Sequence, residues 1–447
     1  MGGSLDAAIV SAAKALSAKS VARRRDFHKH AETAWTEFRT AALVATTLAD
    51  LGYRVLAGDE AVDAAAMMGV PAAAELARQA ERALSQGAPA AWVERMRGGR
   101  TGVVGVLGLG RPGPTAALRV DMDANDLVEA EEPRHRPFRE GFASVNRGAM
   151  HACGHDGHTA LGLAVAEILA GLRERLTGTV KLIFQPAEEG VRGAKAMVSR
   201  GVVDDVDAIL GVHLGVTLKK AGQVACRTEG FLATTKFDAV FTGTPAHAGA
   251  APEAGRNAIL AAATATLSLH AIPRHSQGAS RVNVGVFQGG TGRNVIPASA
   301  VLKVETRGAT TAINDFVYAE AVRIIEAAAA MQGVQVAFQL MGGAAGCESD
   351  PALVDRIRQV AARQKLFSEI VAAGNIGGSE DCTYFMERVQ KNGGQAAYAM
   401  IGTELAAGHH DSYFDFNEEA LTPGTALVAG VLADLLAGKQ EPGNPAS

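Results

Sequence analysis

The segment His151-Ala-Cys153-Gly-His155-Asp-Gly-His158 gathers three histidines, a cysteine and an aspartate just ahead of an apolar stretch. Seen singly, a cysteine is usually a small buried hydrophobe and a histidine usually structural. Clustering changes that reading. Cys153 and His155 stand two apart, a spacing that aims both side chains at one ion when the backbone is extended ahead of a helix. A bound metal would keep the thiol as thiolate. His151 and His158 read as orienting or surface groups. Further along, Gln-Pro-Ala-Glu188-Glu189 follows an apolar strand. Such a doublet is often an exposed acidic pair. Beyond a proline at the end of a buried strand, however, its two carboxylates point in different directions. One can bind metal while the other faces a water that must lose a proton, as metal-assisted hydrolysis requires. His213 repeats the placement at the next strand end, and His409-His410, after Gly402, is available to complete a shell.

A second set of polar residues lies in turn-rich segments: Thr244-Pro-Ala-His247, Gly292-Arg293-Asn294 and Glu305-Thr-Arg307. Glycine-rich turns often hold such residues for backbone reasons alone, so each is weak evidence by itself.

These residues need a scaffold. Pro114 to Met122, Val180 to Phe184 and Val206 to Val212 read as apolar strands that run into polar residues, and His158 to Leu176 is amphipathic at helical spacing. Strands alternating with helices predict an α/β catalytic domain with a mostly parallel sheet flanked by helices. Ligands of such sheets bind outside the carboxyl ends of the strands, where Asp121, Asp123, Glu188, Glu189 and His213 fall. From near Phe231 the order changes to β-α-β-β-α-β, the ferredoxin-like plan. The expected organisation is therefore a catalytic domain over residues 1–230 and 343–447, interrupted by an inserted α+β lid or dimerisation domain over 231–342. Pro351 to Arg363 reads as a helix, Gln395 to Ile401 as a strand and Glu418 to Leu436 as a closing helix. The alanine-rich Ala61 to Ala91 reads as additional helices.

At 447 residues and 48% hydrophobic content the chain can bury a sizeable core. A net charge of −4 gives no cationic field for nucleic acid or anionic lipid. No apolar run suits a membrane span, and the first residues read as a helix start and not as a secretory signal, so a cytoplasmic location is expected. Four scattered cysteines do not suggest a disulfide framework.

Taken in order, Asp121-Met-Asp123, Met150-His-Ala-Cys-Gly-His-Asp156, Phe184-Gln-Pro-Ala-Glu-Glu189, Gly211-Val-His213, Ala246-His247-Ala, Asn294-Val-Ile-Pro297, Ser379-Glu-Asp381 and Phe414-Asp-Phe resemble the aminoacylase and hippurate-hydrolase branch of the di-metal amidohydrolases. RRRDFHKHAETAWTEFRTA and FREGFASVNRGAMHACGHDGHTALGLA, with the extra stretch between Gly58 and Gly99, resemble more closely the part of that branch that cleaves p-aminobenzoyl-glutamate. The resemblance implies two divalent metals, manganese or zinc, held by Cys153, His155, Glu189, His213 and His410, with Glu188 as general base. His410 is taken over His409 because it lies four residues before Phe414, although Asp411 and Ser412 depart from what usually follows. The resemblance also implies that His247 polarises the scissile carbonyl, in related dimers from the partner subunit. Asn294 and Arg307 would hold the substrate carboxylate, and Asp121 and Asp123 would support the shell from behind.

The implied reaction is hydrolysis of p-aminobenzoyl-glutamate to p-aminobenzoate and glutamate, by a homodimer or with a homologous second subunit. Rival expectations are a broader hydrolase of hippurate-like N-acyl amino acids or dipeptides, and a non-catalytic subunit of a hydrolase complex.

Overall fold

Apolar runs too short for helices form the centre of the larger sheet, because burial on both faces is what a run such as Val-Lys-Leu-Ile-Phe permits. The computed structural model describes residues 2–437; residue 1 and residues 438–447 of the expected catalytic domain lie outside them. In chain order the strands are β1 (Arg54–Ala57), β2 (Val103–Gly108), β3 (Thr115–Asp121), β4 (Thr179–Gln185), β5 (Ala208–Leu214), β6 (Gln223–Ala225), β7 (Thr228–Glu229), β8 (Ala233–Thr242), β9 (Ser280–Gly289), β10 (Ser299–Gly308), β11 (Gln335–Ala344), β12 (Glu369–Val371), β13 (Gly374–Asn375) and β14 (Gln395–Ile401).

One compact unit holds the residues up to Glu229, Glu348–Ile376 and those from Tyr384 on. Its main sheet has the order β1-β2-β4-β3-β5-β14-β6-β12. The central β4, β3, β5 and β14 run parallel, while β2 joins β4 and β6 joins β14 antiparallel. The sheet is therefore mixed around a parallel core, in keeping with the expected α/β catalytic domain. The parallel core is the part that matters for chemistry, since it brings the ends of β3, β4 and β5 to one edge. Between β1 and β2 the alanine-rich stretch forms helices Ala73–Ser85 and Ala90–Arg95.

The stretch Glu418–Leu436 is long and apolar enough to cross a membrane, contrary to the expectation from the sequence, but 72% of it is buried within the protein. It packs on helices Gly2–Lys29 and His155–Gly171, which makes it a core helix.

The other unit comprises Gly230–Cys347 and Gly377–Thr383, so Ser379-Glu-Asp381, expected in the first domain, clusters here. Its antiparallel sheet has the order β11-β8-β10-β9, with helices Ala258–Leu269 and Thr311–Gln332, which completes a ferredoxin-like β-α-β-β-α-β fold. Alternation along the strands sends Phe237, Ala239, Phe241, Leu302 and Val304 to the helices, where Ala261, Ala265 and Ile325 complete the core.

Candidate metal centre

Gly154 separates Cys153 from the helix His155–Gly171 and has φ of +90°, a left-handed conformation that strains any side chain. This turn lets Cys153 leave an extended segment while His155 begins the helix. The first helical turn then seats closely: a Cβ added at Gly157 would lie 2.6 Å from the Phe416 ring and 2.9 Å from Leu214.

The donor atoms gather in two overlapping groups. Those of Cys153, His155 and Glu189 lie within 4.8 Å of one another, and so do those of Cys153, His213 and His409. Cys153 is common to both. Its Sγ stands 3.6 Å from His213 Nε2. His213 Nδ1 donates to the Leu214 carbonyl at 2.8 Å and His155 Nδ1 to the Asp123 carbonyl at 2.9 Å, which turns the Nε2 of each ring toward the group. Two of these atoms, His155 Nε2 and His409 Nε2, are buried without a hydrogen-bond partner. Buried polar atoms left in this way cost free energy unless something else satisfies them. One thiol, three imidazoles and a carboxylate form a donor set that fits a divalent transition metal.

Burial would lower His155, but Asp121 and Cys153 hold it well above the ordinary histidine value, so it needs an incoming cation to displace its proton. Burial, with the neighbouring His158 and His409, holds His213 well below the ordinary histidine value, and burial lowers His409 to about 4. Both rings are thus neutral and able to ligate. Burial pushes the Cys153 thiol up to about 12, so it needs a cation beside it to become a thiolate. Burial would also raise Glu189, but His410 and His155 hold it at about 2.

His151 and His158 are both buried, which corrects their reading as possible surface groups. His158 is an orienting residue: its Nδ1 donates to Asp121 Oδ1 at 2.6 Å, and its Nε2 accepts the Leu214 N–H at 3.0 Å. Neither nitrogen remains for a metal. Both ring nitrogens of His151 lack partners, and burial lowers its pKa to about 3. His410 takes a different position from His409. It is 57% exposed, has φ of +64°, and holds Nε2 3.3 Å from Glu189 Oε1.

Behind the donors lies a buried acidic shell. Asp123 accepts the N–H groups of Glu188 and Glu189. Asp121 accepts Arg119 Nη1 at 2.7 Å; burial would raise its pKa, but His155, His158 and Arg119 hold it well below the ordinary range. Glu37, which sequence reasoning passed over, accepts the Ala187 N–H at 2.8 Å and the Trp35 N–H at 3.0 Å. It thereby fixes Ala187 at φ of +53°, one residue before Glu188. The only cue in the sequence is an acid among apolar neighbours in Trp35-Thr-Glu-Phe38.

In the second unit His247 bridges Val295, and the Ala248 N–H donates to the Asn294 carbonyl at 3.0 Å, so His247 and Asn294 are neighbours. Arg307 is not near them. It lies at the far end of β10, eight residues beyond Ser299, or roughly 26 Å at the usual rise per residue. Within one chain, therefore, Asn294 and Arg307 are not neighbours.

The sequence pattern of peptidase family M20/M25/M40 matches residues 117–434. The chain is 55% identical over 410 residues to a subunit of the p-aminobenzoyl-glutamate hydrolase of Escherichia coli (strain K12), covering 91% of this chain and 93% of that one. It is likewise 55% identical to the indole-3-acetyl-aspartic acid hydrolase of Enterobacter agglomerans, with the same 91% and 93% coverage. Among solved structures, the aminobenzoyl-glutamate utilization protein of Klebsiella pneumoniae superposes with a TM-score of 0.81 at 46% identity, over 94% of this chain and 97% of that one. A Bacillus subtilis protein described as a dinuclear metal binding peptidase of the M20 family gives a TM-score of 0.65 at 25% identity, over 95% and 99%.

Proposed function

The chain belongs to peptidase family M20/M25/M40 and is a metal-dependent amidohydrolase, and on that premise we propose that it hydrolyses p-aminobenzoyl-glutamate to p-aminobenzoate and glutamate. The observation that carries the reading is the pair Glu188-Glu189: Glu189 belongs to a donor group with Cys153 and His155, and the adjacent Glu188 is held by the same Asp123. Two divalent ions, manganese or zinc, held by Cys153, His155, Glu189, His213 and His410, would supply Lewis acidity to the carbonyl and to a water. Glu188 takes the proton of the attacking water and returns it to the glutamate nitrogen as the carbon–nitrogen bond breaks. His247 polarises the carbonyl, and Asn294 and Arg307 take the substrate carboxylate.

Because Asn294 and Arg307 occupy opposite ends of one sheet, a carboxylate gripped by both draws them from two chains. A homodimer, or a pairing with a homologous second subunit, follows. The edge position of β9 and the exposed Leu260, Leu267 and Phe287 support such a contact, and the Escherichia coli relative, named as one subunit of its hydrolase, supports a partner subunit. A thiol-bearing metal shell suits a reducing compartment, so the cytoplasm is the proposed location.

The Enterobacter agglomerans relative favours a second reading, hydrolysis of indole-3-acetyl-aspartate. A broader action on hippurate-like amides or dipeptides would use the same residues. The test is the purified chain alone, loaded with manganese or zinc, assayed on p-aminobenzoyl-glutamate, indole-3-acetyl-aspartate and hippurate, beside Glu188→Gln. Release of glutamate that Glu188→Gln lowers by about 10²–10⁴-fold supports the reading. No release with either metal, despite metal uptake, sinks it and favours a non-catalytic subunit.

A further inference from the structure

The sheet of the second unit buries one face under its two helices and leaves the other open. Along β10, Ala300, Leu302, Val304 and Thr306 point to the buried side, so Lys303, Glu305 and Arg307 share the open one. Pairing with β9 sets Arg307 directly opposite Arg281, and Glu305 opposite Asn283. Like charges at directly opposed positions of a ladder destabilise it, so a guanidinium pair of this kind calls for an explanation beyond folding.

A third guanidinium joins them. Arg274, in the turn before β9, donates Nη1 to the Ser280 carbonyl at 2.9 Å. Arg274, Arg281 and Arg307 line one concavity of about 490 Å³ together with Ser280, Asn283 and Glu305. Glu305 is the one carboxylate in that lining, and both its oxygens are taken by Arg307, at 2.9 Å from Nε and 3.0 Å from Nη2. This fork occupies two of the five guanidinium donors of Arg307 and leaves the others for a ligand. Among the described residues no carboxylate lies within ion-pair distance of Arg281 or Arg274. The cavity therefore keeps a surplus of positive charge in planar, forked groups, the geometry that matches carboxylates.

We propose that this cavity is a two-carboxylate subsite in which Arg281, backed by Arg274, reads the side-chain carboxylate of an acidic amino acid whose α-carboxylate sits on Arg307. The inference rests on the hydrolase reading above and goes beyond it by assigning the selectivity for the amino-acid half of the substrate. The two relatives at 55% identity are named for amides whose acyl groups differ, p-aminobenzoyl and indole-3-acetyl, and whose amino acids, glutamate and aspartate, both carry a second carboxylate.

The experiment compares kcat/KM of the metal-loaded full chain on p-aminobenzoyl-glutamate and on p-aminobenzoyl-glutamine, whose side chain has the same shape without the charge. Arg281→Ala should shrink the glutamate-to-glutamine preference by about 30-fold, chiefly through KM, with Arg281→Lys falling between. Calorimetric titration with free glutamate and free glutamine runs beside it, and should show binding of glutamate that weakens by a similar factor in Arg281→Ala. A preference within about 3-fold of the original chain in Arg281→Ala, or equal handling of both amides by the original chain, overturns the subsite. A chain that hydrolyses neither amide but binds glutamate through Arg281 overturns the hydrolase reading and leaves the subsite standing. Failure to bind glutamate in a chain that hydrolyses neither overturns both.

Discussion

Asp123 Oδ2 accepts the backbone N–H of Glu189 at 2.8 Å. The other oxygen of the same carboxylate accepts the Glu188 N–H at 3.0 Å and stands 3.3 Å from His155 Nδ1. One buried acid thus orients the proposed base, one carboxylate ligand and one imidazole ligand. Asp123→Ala frees the N–H groups of Glu188 and Glu189 and leaves His155 Nδ1 on the Asp123 carbonyl alone, and outer partners of this kind are worth about 10–100-fold in metal affinity or turnover. Titration of the apo variant with zinc should show that loss with the helical signal retained. An affinity equal to that of the original chain would falsify the orienting role.

His409 and His410 divide between two neighbours. His409 stands with Cys153 and His213, and His410 beside Glu189. If each completes a shell, His409→Ala and His410→Ala should each weaken metal binding by about 10-fold or more, and each should change the visible spectrum of the cobalt-substituted protein. A His409→Ala protein with unaltered stoichiometry, affinity and spectrum would leave His410 as the sole ligand of the pair.

Burial and the charge of Asp123 push Glu37 up to about 8, so at neutral pH it is mostly the neutral acid. Both of its oxygens act as acceptors: Oε1 takes the N–H groups of Trp35 and Ala187, and Oε2 takes the Thr101 hydroxyl at 2.6 Å. A glutamine keeps the Oε1 acceptor, and the Thr101 hydroxyl can turn to accept its amide N–H. Glu37→Gln should stay within about 1 kcal/mol of the original stability, whereas Glu37→Ala, which orphans these groups, should lose on the order of 3 kcal/mol or more. Denaturant unfolding separates the two. Equal losses would mean that Glu37 is needed as an anion.

Glu129 supplies a pH prediction away from the metal donors. Its Oε1 accepts His28 Nε2 at 2.9 Å and His135 Nε2 at 2.8 Å, and its side chain is 5% exposed. Burial would raise its pKa, but these histidines hold it at about 2, below the ordinary glutamate value. A carboxylate depressed by folding adds stability above its unfolded pKa and loses it as pH falls toward the folded one. The contribution, on the order of 3 kcal/mol, should therefore be full above about pH 5 and fade between roughly pH 4.5 and 2. Compared at equal metal loading, the stability gap between the original chain and Glu129→Gln should narrow over that window. A gap independent of pH would count against it.

The sequence alone was enough to identify the β-α-β-β-α-β order of the second unit, because period-two alternation in strands such as β10 and helical spacing between them are local properties. It also showed which residue types stand at strand ends, and so the class of chemistry. It did not show what each of two like residues does. His155 and His158 lie one helical turn apart, yet Asp121 and the Leu214 N–H, both brought in from neighbouring strands, occupy the nitrogens of His158 and leave His155 Nε2 open. In the same way Arg281 carries no signal in the sequence, and only its register opposite Arg307 makes it part of a cationic cavity. A hydrogen-bond complement and a local field depend on which groups lie across from a residue in space, and strand pairing between distant segments decides that.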